Sequence, residues 1–199
     1  MKKHRKLIVA IVIVLLAAAW IWRYVSMNKY YDDLDNGDYK LYSLGEMVPF
    51  EDDTFGSSED LSDCYIQASG LEVWDCDELL AEKKLTLSAH YQKPEKVALV
   101  TVTVKNESGE EKLFPLMGFS LHGVDFNAPS NSELVIGLNT QLDKTTNLTL
   151  SSGESCTLIL AYDLYRDRFG GITWHNLDNC KFYLQVTSTM TQKEILINQ

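Results

Sequence analysis

Neither a Cys-x-x-Cys nor a His-Glu-x-x-His occurs in these 199 residues, so the ligand spacings of a zinc site are missing. His4, His90, His122 and His175 are scattered, and neither a metal nor a cofactor is expected. No internal repeat runs along the chain, and no long helical pattern alternates with its strand-like stretches, which argues against a doubly wound sheet. No acidic residue precedes Asp32. No cysteine lies just after the early apolar run, so a lipid anchor on a cysteine has no attachment point.

What is present is charge of two signs, unevenly placed. The formal net charge is −10, yet Lys2, Lys3, Arg5, Lys6, Arg23 and Lys29 all precede the first acid. The remainder holds 12 basic residues against 28 acidic ones, a net −16. Such a surface repels nucleic acid and anionic headgroups, so neither is expected to bind the folded part.

The basic cluster leads into an unbroken apolar run, Leu7 to Trp22, extended past Arg23 by Tyr24, Val25 and Met27. From Leu7 to Met27 a helix would reach roughly 31 Å, the thickness of a hydrocarbon core. Cations before the span and acids after it keep the N-terminus in the cytoplasm and export the rest. Trp20, Trp22 and Tyr24 would then anchor the outer interface. A cleaved signal peptide is the competing reading, since Ala17, Ala18 and Ala19 offer small residues at a cleavage site.

Residues 28–63 are polar and acidic and read as a lead-in, interrupted by the island Leu41 to Phe50, whose Pro49 restricts it to a sheet margin. Strand patterns follow at Cys64–Trp74, Val97–Lys105, Lys112–Leu116, Phe119–Val124, Leu134–Leu138, Asn147–Leu150, Ser155–Leu164, Lys181–Ser188 and Lys193–Ile197. The clearest alternates Val100, Val102 and Val104 inward with threonines outward. Only Asp75 to Lys84 looks helical, with Asp75 or Asp77 as its cap. The expected order is a cytoplasmic basic tip (1–6), a transmembrane anchor (7–27), an acidic lead-in (28–63) and an all-β sandwich domain (64–199) with one short additional helix.

Two stretches, Val100 through Lys105-Asn106-Glu107-Ser108-Gly109-Glu110 and Leu150 through Gly153-Glu154 to Tyr162-Asp163-Leu164, resemble telokin-like, immunoglobulin-like domain families of unknown function. Those families occur in exported, membrane-anchored proteins of Gram-positive bacteria. The island Leu44-Gly45-Glu46 with Val48 is similar to their lead-in. The resemblance implies an extracytoplasmic immunoglobulin-like β-sandwich and carries over no catalytic residue.

Candidate chemistry is sparse. Cys64, Cys76, Cys156 and Cys180 form an even set in a segment expected to be exported, and the pairs closest in sequence, Cys64 with Cys76 and Cys156 with Cys180, are the disulfide candidates. The alternative is that some are buried small apolar residues. Gly118-Phe119-Ser120-Leu121-His122 superficially matches a nucleophile elbow but lacks the second glycine. Ser120 and His122 would share one strand face as a polar pair. Asp32, Asp33, Asp35 and Asp38 around Gly37 suggest calcium, but Leu34 and Ser43 fall where oxygen ligands are required. Asn106 and Asn147 begin glycosylation sequons.

Tyr165, Arg166, Arg168 and Phe169, beside Gly170 and Gly171 and close to Trp174, combine arginine and aromatic rings in an acidic domain. That composition marks interface hot spots and makes this the candidate contact loop. Trp74 and Tyr162 could join an aromatic platform or fill the core. The first reading is a non-enzymatic, membrane-anchored extracytoplasmic module that binds a protein, peptide or wall polymer. The second is an accessory or immunity-type subunit of a membrane complex, touching its partners through the anchor, and the third is a cell-surface hydrolase.

Overall fold

The computed structural model describes residues 16–23, 39–51, 60–187 and 191–198. Residues 16–23 form helix α1. The elements that follow are β1 (Tyr39–Ser43), β2 (Met47–Pro49), β3 (Cys64–Asp75), α2 (Cys76–Lys83), β4 (Lys96–Asn106), β5 (Lys112–Pro115), β6 (Ser120–His122), β7 (Asn127–Ala128) and α3 (Ser132–Leu138). Then come β8 (Asn147–Leu150), β9 (Ser155–Leu164), α4 (Gly171–His175), β10 (Tyr183–Thr187) and β11 (Gln192–Leu196). The chain divides into two units, Met1–Tyr39 and Lys40–Gln199. In the first, Trp20 and Trp22 of α1 are exposed. No helix among the described residues is long and apolar enough to cross a membrane. The expected span at 7–27 and the acidic run at 32–38 lie mostly outside those residues.

In the second unit the strands form a sandwich-like arrangement. Its sheets have the orders β1-β11-β10-β6-β7 and β2-β3-β4-β9, with a two-stranded β5-β8 beside them. Valine and threonine alternate along β4 as expected: Val100, Val102 and Val104 are buried, and outward Thr103 meets Thr157 of β9 at 2.8 Å. Nearer Lys96 the strand is buried on both faces, because α2 packs against β3 and β4 and α3 against β9. One apolar core joins these sheets, with Phe50 at its middle 6.0 Å from Phe114 and 6.1 Å from Phe119.

Local chemistry sets the turns. Gly45 and Gly153 hold φ values of 87° and 79°, which a side chain disfavours, and place the bends after β1 and before β9. Asp75 caps α2, accepting from the Asp77 and Glu78 amides, as expected. The expected strand at Leu134–Leu138 is instead α3. Asn131 accepts from the Leu134 amide and starts the helix, and a five-residue apolar run suits either element until such a cap decides it. The short α4 was also missed.

The lead-in also differs from expectation. Val48, Phe50 and Leu61 are buried in the common core, so the folded unit begins near Lys40 rather than at Cys64. The island docks at the margin as expected, with β1 at the end of one sheet and β2 at the end of the other. Lys193, fully buried on β11, fastens it: Nζ donates to the Pro49 carbonyl at 2.8 Å, the Phe50 carbonyl at 3.2 Å and Glu51 Oε2 at 2.6 Å.

Sheet edges are closed in different ways. Along β9 much of the outward backbone is engaged. Asp163 donates its amide to the Pro129 carbonyl, and Ala161 accepts from the Asn131 amide, each at 2.8 Å. The Asn139 side chain then pairs with both the amide and the carbonyl of Ile159, also at 2.8 Å, and Gln141 donates to Thr157. Edge β2 ends in Pro49, and β7 has two residues followed by Pro129.

Candidate functional site

At one end of the five-stranded sheet, the β6–β7 turn meets the chain that follows β9. Thr173 donates to Asp125 at 2.6 Å, and the Phe126 ring stacks on Phe169 at 4.3 Å. Phe169 in turn meets Trp174 edge-on at 5.4 Å. These rings hold two otherwise separate loops together. Above them Val124, Arg166, Arg168 and His175 are exposed, and Trp174 is half-buried.

This arrangement revises the candidate contact loop. Tyr165 and Phe169, expected on the surface, are buried. The Tyr165 hydroxyl donates to the Gln92 carbonyl at 2.7 Å, and the Arg168 guanidinium lies over its ring at 4.9 Å. The aromatic members therefore form a support, and the arginines remain as the accessible part. Tyr162 is a core residue whose hydroxyl donates to the Phe119 carbonyl, and Trp74 donates to Glu72.

Beside this end, the outer face of the sheet carries a polar group of side chains. Ser120 and His122 share that face, as their spacing on β6 requires, but their partners differ. Ser120 Oγ donates to Gln185 Oε1 at 2.9 Å, whereas His122 Nε2 meets Glu194 Oε1 at 2.8 Å. The other imidazole nitrogen faces the Gly123 carbonyl at 3.4 Å, and the ring stacks on Tyr183 at 5.6 Å. With acceptors at both nitrogens, this ring is best satisfied as a cation. The hydrogen bond to Glu194 raises its pKa, against a smaller opposing effect of burial. His122 Nε2 is thus engaged with Glu194, and the Ser120 hydroxyl is committed to Gln185 instead.

A second polar cluster is interior. Asp163, on a stretch of β9 with buried neighbours, accepts from Tyr91 at 2.6 Å, Asn131 at 2.8 Å and Tyr165 at 3.2 Å. Burial, and then the neighbouring carboxylate, raises the Tyr91 pKa; the same causes push Tyr165 up to about 12. Tyr91 thus ties the loop after α2, and Asn131 the start of α3, to the end of β9. The sequence signal was an acid within an apolar strand, although nothing in it named Tyr91 as partner. Glu194 and Tyr183 were missed for the same reason: strand pairing across sixty or more residues brings them to His122.

The disulfide candidates are corrected. All four cysteines are free. Cys64 opens the 12-residue β3 and Cys76 follows its last residue, so about 40 Å of extended chain separates them, whereas bonded cysteines have Cα atoms within about 7 Å. Cys156 contacts Gln141 at the other end of β9 from Leu164, while Cys180 donates to the Asn176 carbonyl at 3.2 Å in the loop beyond it. Burial raises the pKa of Cys64 to about 11 and also raises those of Cys76 and Cys180, which makes these thiols poor nucleophiles. Asn106 is buried too, with its amide donating to the Glu110 and Leu150 carbonyls, so its sequon is closed in the folded protein.

Among the described residues, no group of three or more His, Cys, Asp or Glu side chains could hold a metal ion. Compared with known families, residues 39–193 match the one described as "Domain of unknown function (DUF5028)". The chain belongs to this family. The match covers β1 through β10 and reaches into β11, the elements that build both large sheets of this DUF5028 member. No curated protein matches. Among solved structures, the secreted protein MPT63 from Mycobacterium tuberculosis is similar at 14% identity and a TM-score of 0.46, over 79% of this chain and 96% of that one. The yjhA protein from Bacillus subtilis is similar at 11% identity and 0.45, over 78% and 98%. An uncharacterized β-sandwich protein from Clostridium difficile 630 is similar at 10% identity and 0.42, over 80% and 96%.

Proposed function

We propose that this DUF5028 protein is a non-enzymatic binding module, held outside the cytoplasmic membrane by an N-terminal transmembrane anchor and built on an immunoglobulin-like sandwich. Its contact region is the end where Arg166, Arg168, Val124 and Trp174 gather. The observation that carries this reading is the buried pair beneath them, Phe126 stacked on Phe169, which meets Trp174 edge-on and fixes two loops as one surface. Pre-set loops lose little freedom on binding, and arginine beside an aromatic ring suits a protein or peptide partner. The hydroxyl of Ser120, engaged with Gln185, weighs against a hydrolase. The basic tip and apolar run of the sequence support the anchor and its orientation.

Two measurements test this reading. Protease added to intact protoplasts should digest the C-terminal domain, and full protection of that domain would reject the proposed orientation. Tagged full-length protein, purified from solubilised membranes, should retain its partner when residues 7–27 are replaced by an unrelated span and lose most of it when Arg166 and Arg168 both become Ala. Loss on replacing the span, with retention in the arginine variant, would favour an accessory subunit that works through its anchor.

A further inference from the structure

We propose that the Arg166–Arg168 turn receives a carboxylate from a partner protein, presented beside an apolar side chain on a surface that is neutral or basic overall. The inference rests on the contact end proposed above and names the chemistry that fits it. Residues 40–199 contain two arginines, and both lie in this one turn. Among the described residues, neither guanidinium forms an ion pair or donates a hydrogen bond. Acids lie close by without meeting them. Glu95 accepts from the Arg166 backbone amide at 3.3 Å, Asp125 accepts from Thr173 at 2.6 Å, and Asp167, between the two arginines in the chain, pairs with neither. Lys40, Lys93, Lys105, Lys112 and Lys193, by contrast, each meet a carboxylate of this chain.

Arg168 is already placed for a ligand. Its guanidinium lies 4.9 Å from the centre of the Tyr165 ring, and the Tyr165 hydroxyl is fixed by the Gln92 carbonyl and by Asp163. A ring face holds a cation without supplying an acceptor, so the N–H donors keep the fork that matches the two oxygens of a carboxylate. Val124, 85% exposed, and half-buried Trp174 provide the apolar contact. Charge acting over two ranges then selects the partner. Beyond Lys29 the chain carries a net −16, so a polyanion such as a nucleic acid, an anionic bilayer or a phosphate-rich polymer is repelled as a whole. A single carboxylate in contact with a guanidinium responds chiefly to that neighbour, because at about 0.1 M salt exposed charges are screened beyond roughly 10 Å. Both conditions are met by a protein that is neutral or basic overall and offers an isolated acid.

In the test, random peptides displayed on phage are selected against the full-length protein in detergent micelles, and the selected sequences are synthesised for titration. They should carry Asp or Glu next to an apolar residue. Changing that acid to its amide should weaken binding about tenfold or more, and so should Arg168→Ala; both changes together should cost little more than either alone. Arg168→Lys, which keeps the charge but loses the fork, should recover only part of the loss. Poly-glutamate should bind no better as salt is lowered. Selected peptides without an acid, additive losses in the double change, or poly-glutamate that tightens at low salt overturns the inference. Peptides that need Trp174 but no acid would leave the contact end standing and remove the carboxylate from it. Peptides that bind Trp174→Ala and Arg168→Ala proteins as well as the wild type would reject the contact end itself.

Discussion

His122 has a carboxylate at one nitrogen and a carbonyl at the other, and this predicts how stability should follow pH. Its folded pKa is raised above the unfolded value of about 6.5. The contribution is therefore fully present below that value and fades as pH rises through the raised folded one. Denaturant midpoints measured across neutral to mildly alkaline pH should fall in the wild type and stay level in Glu194→Gln. Equal profiles for the two proteins would reject the pairing. Ser120 and His122 were legible as neighbours on one face, because strand geometry alone requires it. Their separate partners, Gln185 and Glu194, come from other strands and depend on sheet order.

At the level of elements, β3 and β9 are the instructive cases. Proximity in sequence suggested a bond from Cys64 to Cys76, but an extended strand carries near neighbours far apart. Alkylation of the denatured, unreduced protein should label all four thiols, and mass spectrometry of the native protein should find Cys64 and Cys76 unlabelled. Fewer than four labels after denaturation would reject the free-thiol arrangement. Strand β9 was read with its observed limits, Ser155 to Leu164, yet the device that closes its edge was invisible. An asparagine beyond a helix stands in for a neighbouring strand by offering both halves of an amide. Asn139→Ala leaves the Ile159 amide and carbonyl without these partners and should cost about 3 kcal/mol in a denaturant titration. A loss within the ordinary range for surface changes, about 0.5 kcal/mol, would refute this account of the edge.

For the molecule as a whole, the sandwich was legible because alternation and turn residues are local signals, and the strands from β3 onward, the two-residue β7 excepted, were found with small errors at their limits. Sheet order was not, since it depends on contacts such as Lys193 with Pro49 and Phe50, which join residues more than a hundred positions apart. Val48 and Phe50 were underestimated because isolated apolar residues in an acidic stretch look solvated until their pocket is known. The placement of β11 between β1 and β10 bears on how the protein is made. The earliest strand of the sandwich has no inner neighbour until the latest one arrives, so synthesis runs almost to completion before the fold can close. Under the exported placement proposed above, a polypeptide of this design would cross the membrane as thread rather than as a finished body.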